Sequence, residues 1–200
     1  MANEQLRHYV RVYDQDLAPE LCGRLIDSFG ALQRFQQNNG RNVRRGLEES
    51  EWTELNVTRL ADAGFVALFR GFVDRALDRY NRDVGLSIPI PNTPSIADLV
   101  MKRYRPGGQE RFQLHFDAIA HVANRYLVVL WYLNDVAQGG ETRFPQLDLS
   151  IAPKAGRLLV FPPYWMYQHD GAPPISGDKY ILSTYLLFNA ASESAVQVEQ

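Results

Sequence analysis

The sequence predicts an α+β protein: a double-stranded β-helix, or jelly roll, core with N-terminal helices packed on one sheet. Three observations carry that expectation. Helical apolar spacing dominates up to about residue 90. Short strand-like runs separated by turn residues follow it, at the even spacing of a double-sheet β-architecture. Two of those runs, RYLVVLWYLN and RLLVF, are apolar almost without interruption, as strands covered on both faces are.

Each element has a local reason. His8–Tyr13 (HYVRVY) alternates like a short strand. Ala18–Phe29 sets Leu21, Leu25 and Ile26 at helical spacing, with Pro19 near the start, where a missing N–H costs little. Leu60–Asp83 is the strongest helix, with Phe65, Leu68, Phe69, Phe72, Val73, Leu77 and Tyr80 on one stripe, and Gly85 and PIPNTP ending it. Such a stripe belongs to core packing. The strand candidates are Asp98–Tyr104, Phe112–Asp117, Arg125–Asn134, Thr142–Phe144, Leu149–Ala152, Arg157–Phe161 and Lys179–Phe188, with Gly and Pro pairs between them. One domain over 1–200 is expected, with 1–95 mainly helical support and 96–190 the jelly-roll core. The polar stretch Gln36–Glu54 reads either as a lid or as an unstructured loop.

Composition bounds the function classes. The chain has 200 residues, of which 46% are hydrophobic and 22% charged, enough for a core without staples. Its single cysteine, Cys22, cannot form an internal disulfide. The N-terminus lacks the apolar stretch of a signal peptide, and no run approaches the ~20 residues of a bilayer span. A cytoplasmic protein without membrane association is expected. The net charge of −2 provides no unopposed positive field, so nucleic acid is not expected as a partner. Arg41, Arg44 and Arg45 are followed by Glu48, Glu49 and Glu51, the pattern of a solvated loop with compensating charges.

The chemistry-bearing pattern is His115-Phe116-Asp117. Side chains two apart on a strand share a face, so an imidazole and a carboxylate stand side by side. A second histidine would complete a facial triad with open positions, the ligand set of non-haem iron(II) oxygenases. A His-x-Asp pair also occurs by chance, as a histidine hydrogen-bonded to a neighbouring carboxylate. His8, His121 and His169 remain as third ligands, and His169, on the later strand-rich segment, is the best placed of them.

Lys102–Phe188 resembles the catalytic core of the prolyl 4-hydroxylase-like family of Fe(II)/2-oxoglutarate-dependent dioxygenases. The matching pieces are RYRPGGQERFQLHFDA, then the segment from NRYLVVLWYLN through GGETRFP to PKAGRLLVF, then HDGAPPISGDKYILSTYLLF. The resemblance implies metal ligands His115, Asp117 and His169, and a carboxylate-binding Lys179 ten residues beyond His169. It implies Thr142 and Tyr104 as hydroxyl partners of that carboxylate. Tyr185 stands near the cosubstrate where many relatives carry tryptophan, as wall or as partner. The cofactors implied are Fe(II), 2-oxoglutarate and O2, with ascorbate as reductant and succinate and CO2 as products.

Strand parity supports Lys179 independently, because it heads a face shared with Ile181, Ser183 and Tyr185 and would be costly to bury unpaired. For the substrate, Arg125 matches an arginine that faces the site in relatives. Parity would put Leu127, Val129 and Trp131 beside it, and Trp165, with Tyr164 and Tyr167, could wall the pocket. The expected reaction is hydroxylation of an unactivated C–H, with a prolyl residue of a peptide or protein as one substrate class. A free amino acid or other small metabolite is the alternative. A jelly roll using another metal would not need Tyr104, Thr142 and Lys179, and a catalytically silent binding module would be expected to lack a ligand.

Overall fold

The structure, a computed structural model, describes residues 2–91 and 95–188. The last part of the expected PIPNTP helix breaker, 92–94, and the end of the expected core, 189–190, lie outside the described residues. In chain order the elements are α1 (Ala2–Arg7), β1 (Arg11–Tyr13), α2 (Pro19–Ala31), β2 (Gln37–Gly40), β3 (Glu51–Asn56), α3 (Ala63–Val84), β4 (Ser95–Ile96) and β5 (Val100–Tyr104). They continue with β6 (Phe112–His115), β7 (Arg125–Tyr132), β8 (Thr142–Phe144), β9 (Leu149–Ile151), β10 (Leu158–Phe161), β11 (His169–Gly171) and β12 (Lys179–Leu187). No helix among the described residues is long and apolar enough to cross a membrane.

The strands form two antiparallel sheets. The major sheet runs β1-β10-β7-β12-β5-β3-β2, with β4 added to β12, and the minor sheet runs β6-β11-β8-β9. Helices α2 and α3 cover the outer face of the major sheet. Cys22, Leu25 and Phe29 of α2 and Phe69, Val73, Ala76 and Leu77 of α3 meet Leu127, Val129, Trp131, Leu158, Val160, Leu182 and Leu186 there. On the inner face, Val128, Tyr132, Leu159, Phe161 and Ile181 meet Phe144 and Ile151 of the minor sheet. The two apolar runs are therefore central strands sandwiched between two cores, as their composition requires.

Helix α3 is bounded by matched signals at both ends. The Asp62 carboxylate accepts from the Phe65 N–H at 2.8 Å, and Gly85 takes the left-handed C-terminal position at φ 66°.

The N-terminal region contributes more than helices. α1 precedes β1, which shortens the expected His8–Tyr13 strand, and β1 pairs with β10. Within 36–54 neither of the two readings holds throughout. β2 and β3 form a hairpin that extends the major sheet through β3–β5 pairing, and a turn-rich loop spans 41–50. Gln37, Asn38 and Asn39 are poor strand formers, so pairing with β3 rather than local propensity makes β2.

Candidate active site

His115 ends β6 and His169 begins β11, and the two are direct register partners across the minor sheet. Asp117 lies in a bend just past the end of β6 rather than in the strand. Its N–H and that of Ala118 donate to the Pro163 carbonyl, which fixes the chain where it leaves the sheet. The three side chains converge, with ligand atoms within 4.8 Å of one another. Nε2 of His115 is 3.6 Å from Asp117 Oδ1, and Nε2 of His169 is 3.4 Å from Oδ2.

Two features of this cluster suit a metal. Nδ1 of His115 donates to the Gln113 carbonyl at 2.8 Å, and Nδ1 of His169 donates to the Tyr167 carbonyl at 3.1 Å. With the proton held on Nδ1, each Nε2 presents a lone pair to the centre. The second feature is Asp117 Oδ2, a buried carboxylate oxygen with no hydrogen-bond partner. A buried unpaired carboxylate oxygen is costly, and a cation at the centre of the cluster would satisfy it.

The protonation states agree. Burial would raise the Asp117 carboxyl. The neighbouring His115 and His169 imidazoles and the Tyr185 hydroxyl outweigh burial and hold it below the usual carboxylate range. Burial, aided by His115, lowers His169 to about 4, so it is neutral at pH 7.

Lys179 opens β12 deep in the same cavity, 3% exposed and register-paired with Tyr104. Burial lowers its ammonium to about 7, against the opposing field of Glu141. Its Nζ lies 5.3 Å from the Tyr104 ring and 5.7 Å from the Tyr132 ring, and no carboxylate among the described residues pairs with it. Thr142 accepts a hydrogen bond from the Tyr132 hydroxyl at 2.7 Å, which leaves its own hydroxyl proton to donate elsewhere. Gly171 keeps the space beside the lysine open: a Cβ there would lie 3.8 Å from Lys179 Nζ and 3.4 Å from Phe112 Cβ. A buried, unpaired ammonium, two hydroxyls and an open cradle are a carboxylate receptor. The donor set thus fits both a divalent metal and a dicarboxylate.

Tyr185 has a defined partner. Its hydroxyl donates to Asp117 Oδ1 at 2.9 Å, and the Arg125 guanidinium stacks on its ring at 3.7 Å. Alternation along β12 puts Lys179, Ile181, Ser183 and Tyr185 on the cavity wall.

Three other residues read from the sequence fall differently. Arg125 reaches the site, but Trp131 does not: it is fully buried under the helices, donates to Asp16 Oδ2 at 2.8 Å and meets Phe69 edge-on. The cause is a register irregularity in β7, where Leu186 pairs with Leu127 but Leu187 pairs with Arg125. The extra residue shifts parity, so the inward set is Arg125, Val128, Leu130 and Tyr132. Trp165 is 63% exposed and lines neither the metal cavity nor the one beside it. His121 lies exposed on a short turn, and His8 bonds to Val84 and Arg11, so neither joins the cluster.

Lys102 is the residue sequence reading passed over. It sits on β5 two positions before Tyr104, so alternation alone places it on the same inward face. Its Nζ lies 5.6 Å from both the Trp52 and Phe112 rings, and Phe112 stacks on His115 with centroids 3.9 Å apart. Burial lowers its ammonium, and Glu54 opposes that.

The profile of the 2OG-Fe(II) oxygenase superfamily matches residues 99–187, the segment that supplies all three clustered side chains and Lys179. The chain is similar to "Probable prolyl 4-hydroxylase 11" of Arabidopsis thaliana, 36% identical over 38% of this chain and 29% of that one. Prolyl 4-hydroxylase subunit alpha-1 of Rattus norvegicus is 25% identical over 60% of this chain and 25% of that one. The chain thus spans less than half the length of these curated relatives. Among solved structures, a prolyl hydroxylase of Trichoplax adhaerens, in complex with a hypoxia inducible factor peptide fragment, aligns with a TM-score of 0.69 at 19% identity. That alignment covers 94% of this chain and 87% of the other, and it establishes a shared fold.

Proposed function

We propose that this chain is an Fe(II)- and 2-oxoglutarate-dependent dioxygenase of the 2OG-Fe(II) oxygenase superfamily that hydroxylates an unactivated C–H bond. The observation that carries the reading is the pairing of an unsatisfied His-Asp-His cluster with a buried, unpaired lysine in one cavity. A jelly roll with a hydrolytic or isomerising metal would need the cluster and not the lysine. Prolyl hydroxylases among the relatives make a prolyl residue the first substrate to test.

His115, Asp117 and His169 would hold the iron through two Nε2 atoms and one carboxylate. Lys179, with the hydroxyls of Thr142 and Tyr104, would hold the distal carboxylate of 2-oxoglutarate. Bound iron and 2-oxoglutarate supply the oxidation: with O2 they yield succinate and CO2 and add one oxygen atom to a substrate C–H. The chain's own residues orient and protect. Tyr132 fixes the Thr142 hydroxyl, and Tyr185 donates to Asp117 Oδ1, so one lone pair of the carboxylate is held in place and Oδ2 faces the centre. Val128, Leu130, Phe161 and Ile181 line the cavity and keep water from the reacting atoms. Arg125, stacked on Tyr185 at the cavity edge, stands where a substrate would approach. Ascorbate as reductant is part of the proposal and rests on the family resemblance. A cytoplasmic location is also part of it, supported by the lone buried Cys22.

The test is anaerobic titration with Fe(II) and 2-oxoglutarate, followed by O2 admission and succinate measurement against proline-containing peptides and free amino acids. Metal-dependent 2-oxoglutarate binding and succinate release are expected. Failure to bind 2-oxoglutarate in the presence of iron would sink the reading.

A further inference from the structure

A second cavity of about 530 Å³ lies beside the metal cavity and shares Tyr185 with it. Arg44, Arg59 and Arg125 line it, together with Glu54, Asp98, Phe35 and Leu60. Two of the arginines have acidic neighbours: Arg44 lies 3.9 Å from Glu54 and Arg59 lies 3.7 Å from Asp98. Arg125 has none. Its polar contact is the Asp117 backbone carbonyl at 3.4 Å, and its guanidinium face rests on Tyr185. Lys102, inside the metal cavity, likewise has no carboxylate within ion-pair distance among the described residues, and Glu54, its cross-strand neighbour, is already engaged. Glu54 accepts from Trp52 at 2.7 Å and from Asn39 at 2.8 Å, besides facing Arg44.

This inference rests on the dioxygenase reading, which fixes the remaining charges. A dication, the Asp117 carboxylate, a dianionic cosubstrate and the Lys179 ammonium cancel one another. Arg44 with Glu54 and Arg59 with Asp98 also cancel. Lys102 and Arg125 remain, one in each cavity on either side of the shared Tyr185, and neither has an ion-pair partner among the described residues. Desolvated cations without a counter-charge are unfavourable, and a ligand that brings one is favoured over a neutral ligand of the same shape. An internal prolyl residue of a polypeptide brings no charge at the reacting residue.

We propose that Lys102 and Arg125 recognise a carboxylate of the molecule being oxidised, and that the substrate is a small carboxylic acid, a free or N-acylated amino acid. The second cavity houses the rest of that molecule. Arg125 offers the planar fork that fits a carboxylate, and Lys102 offers a point charge close to the metal group. The apolar surfaces of Phe35 and Leu60 accommodate a side chain or acyl group.

The test is calorimetry on the anaerobic protein loaded with Fe(II) and 2-oxoglutarate. The probes are the free L-amino acids and N-acetyl-L-proline, each beside its carboxamide. The expected result is that at least one acid binds and its carboxamide binds at least tenfold more weakly. Lys102→Met and Arg125→Met each weaken that acid at least tenfold, Lys102→Arg restores most of the loss, and 2-oxoglutarate affinity falls by less than the affinity for the acid in the two methionine variants. The inference is overturned if amides bind as tightly as acids, if no acid binds, or if the methionine variants bind the acid normally. Absence of 2-oxoglutarate binding by the unsubstituted protein would bring down the dioxygenase reading and this inference with it.

Discussion

The two faces of the major sheet are built from the same strands and do opposite work. On the outer face of β7 and β12, Leu127, Val129, Trp131, Leu182 and Leu186 pack against α2 and α3, and the one indole N–H there is satisfied by Asp16. On the inner face of the same strands stand Lys179, Ser183, Tyr185 and Arg125, beside an unpartnered Asp117 oxygen and a second, partly buried lysine, Lys102. The outer face is complete without a ligand. The inner face carries charges and lone pairs whose burial opposes folding until a ligand satisfies them. Replacing the buried cations of the inner face should therefore have an effect on stability opposite in sign to replacing the apolar side chains of either core.

The largest expected effect is on the outer face. Trp131→Ala should lower the unfolding free energy by about 3–5 kcal/mol through cavity formation and a lost hydrogen bond. Denaturant melts would measure that, and the folded fraction should keep its affinity for Fe(II) and 2-oxoglutarate. A folded Trp131→Ala protein that loses 2-oxoglutarate affinity would mean that the two faces are not separable.

Across the cavity, on the minor sheet, His115→Ala should weaken Fe(II) binding by more than about 100-fold, since one ligand of three is lost. Its stability cost in metal-free protein should be smaller than that of Trp131→Ala. Equilibrium metal titration alongside the same melts decides this.

Lys179→Met should leave iron bound and weaken 2-oxoglutarate by about 10–100-fold, the range for losing a charge-assisted hydrogen bond. The same substitution should stabilise the metal-free protein at pH 7. The folded-state ammonium, at about 7, lies below the unfolded value of 10.5. Between those values the unfolded chain holds a proton that the folded chain has lost, so this lysine makes stability rise with pH and opposes folding most at low pH. The advantage of Lys179→Met should therefore shrink as pH rises from 7 towards 10. An advantage that grows with pH would show that the lysine is not desolvated.

The smallest effect is a pH dependence of binding. A carboxylate is held by the ammonium form, so 2-oxoglutarate affinity should fall as pH rises above about 7, by at most about tenfold per unit. Lys179→Arg, which does not titrate there, should flatten the profile. An unchanged slope in that variant would assign the dependence to another group.

The sequence revealed much of this arrangement wherever a local rule governs. Alternation along KYILSTYLLF put Lys179 and Tyr185 on one face, and the apolar runs marked β7 and β10 as sheet centre. The same rule failed for Trp131, because the irregularity near Arg125 arises from pairing with β12 and leaves no mark on the residues of β7 itself. β2 was illegible for a related reason: QNNG has no strand propensity, and only its partner β3 makes it a strand. Asp117 comes beside His115 and His169 through a bend tied to Pro163 rather than through strand parity, so its nearness to His115 was expected by a partly wrong route. Lys102 was legible by its spacing from Tyr104, but a lysine two residues before a tyrosine suggests nothing until Trp52 and Phe112 are seen around it.

The central claim is that the cavity between the two sheets is a metal site and a carboxylate site acting as one. Calorimetric titration of 2-oxoglutarate into the same preparation, with and without Fe(II) and without O2, tests it most directly. The account predicts that 2-oxoglutarate binds at least tenfold more tightly when iron is present, and that His115→Ala abolishes this gain while Lys179→Met lowers affinity in both conditions. Equal affinity with and without iron would contradict it.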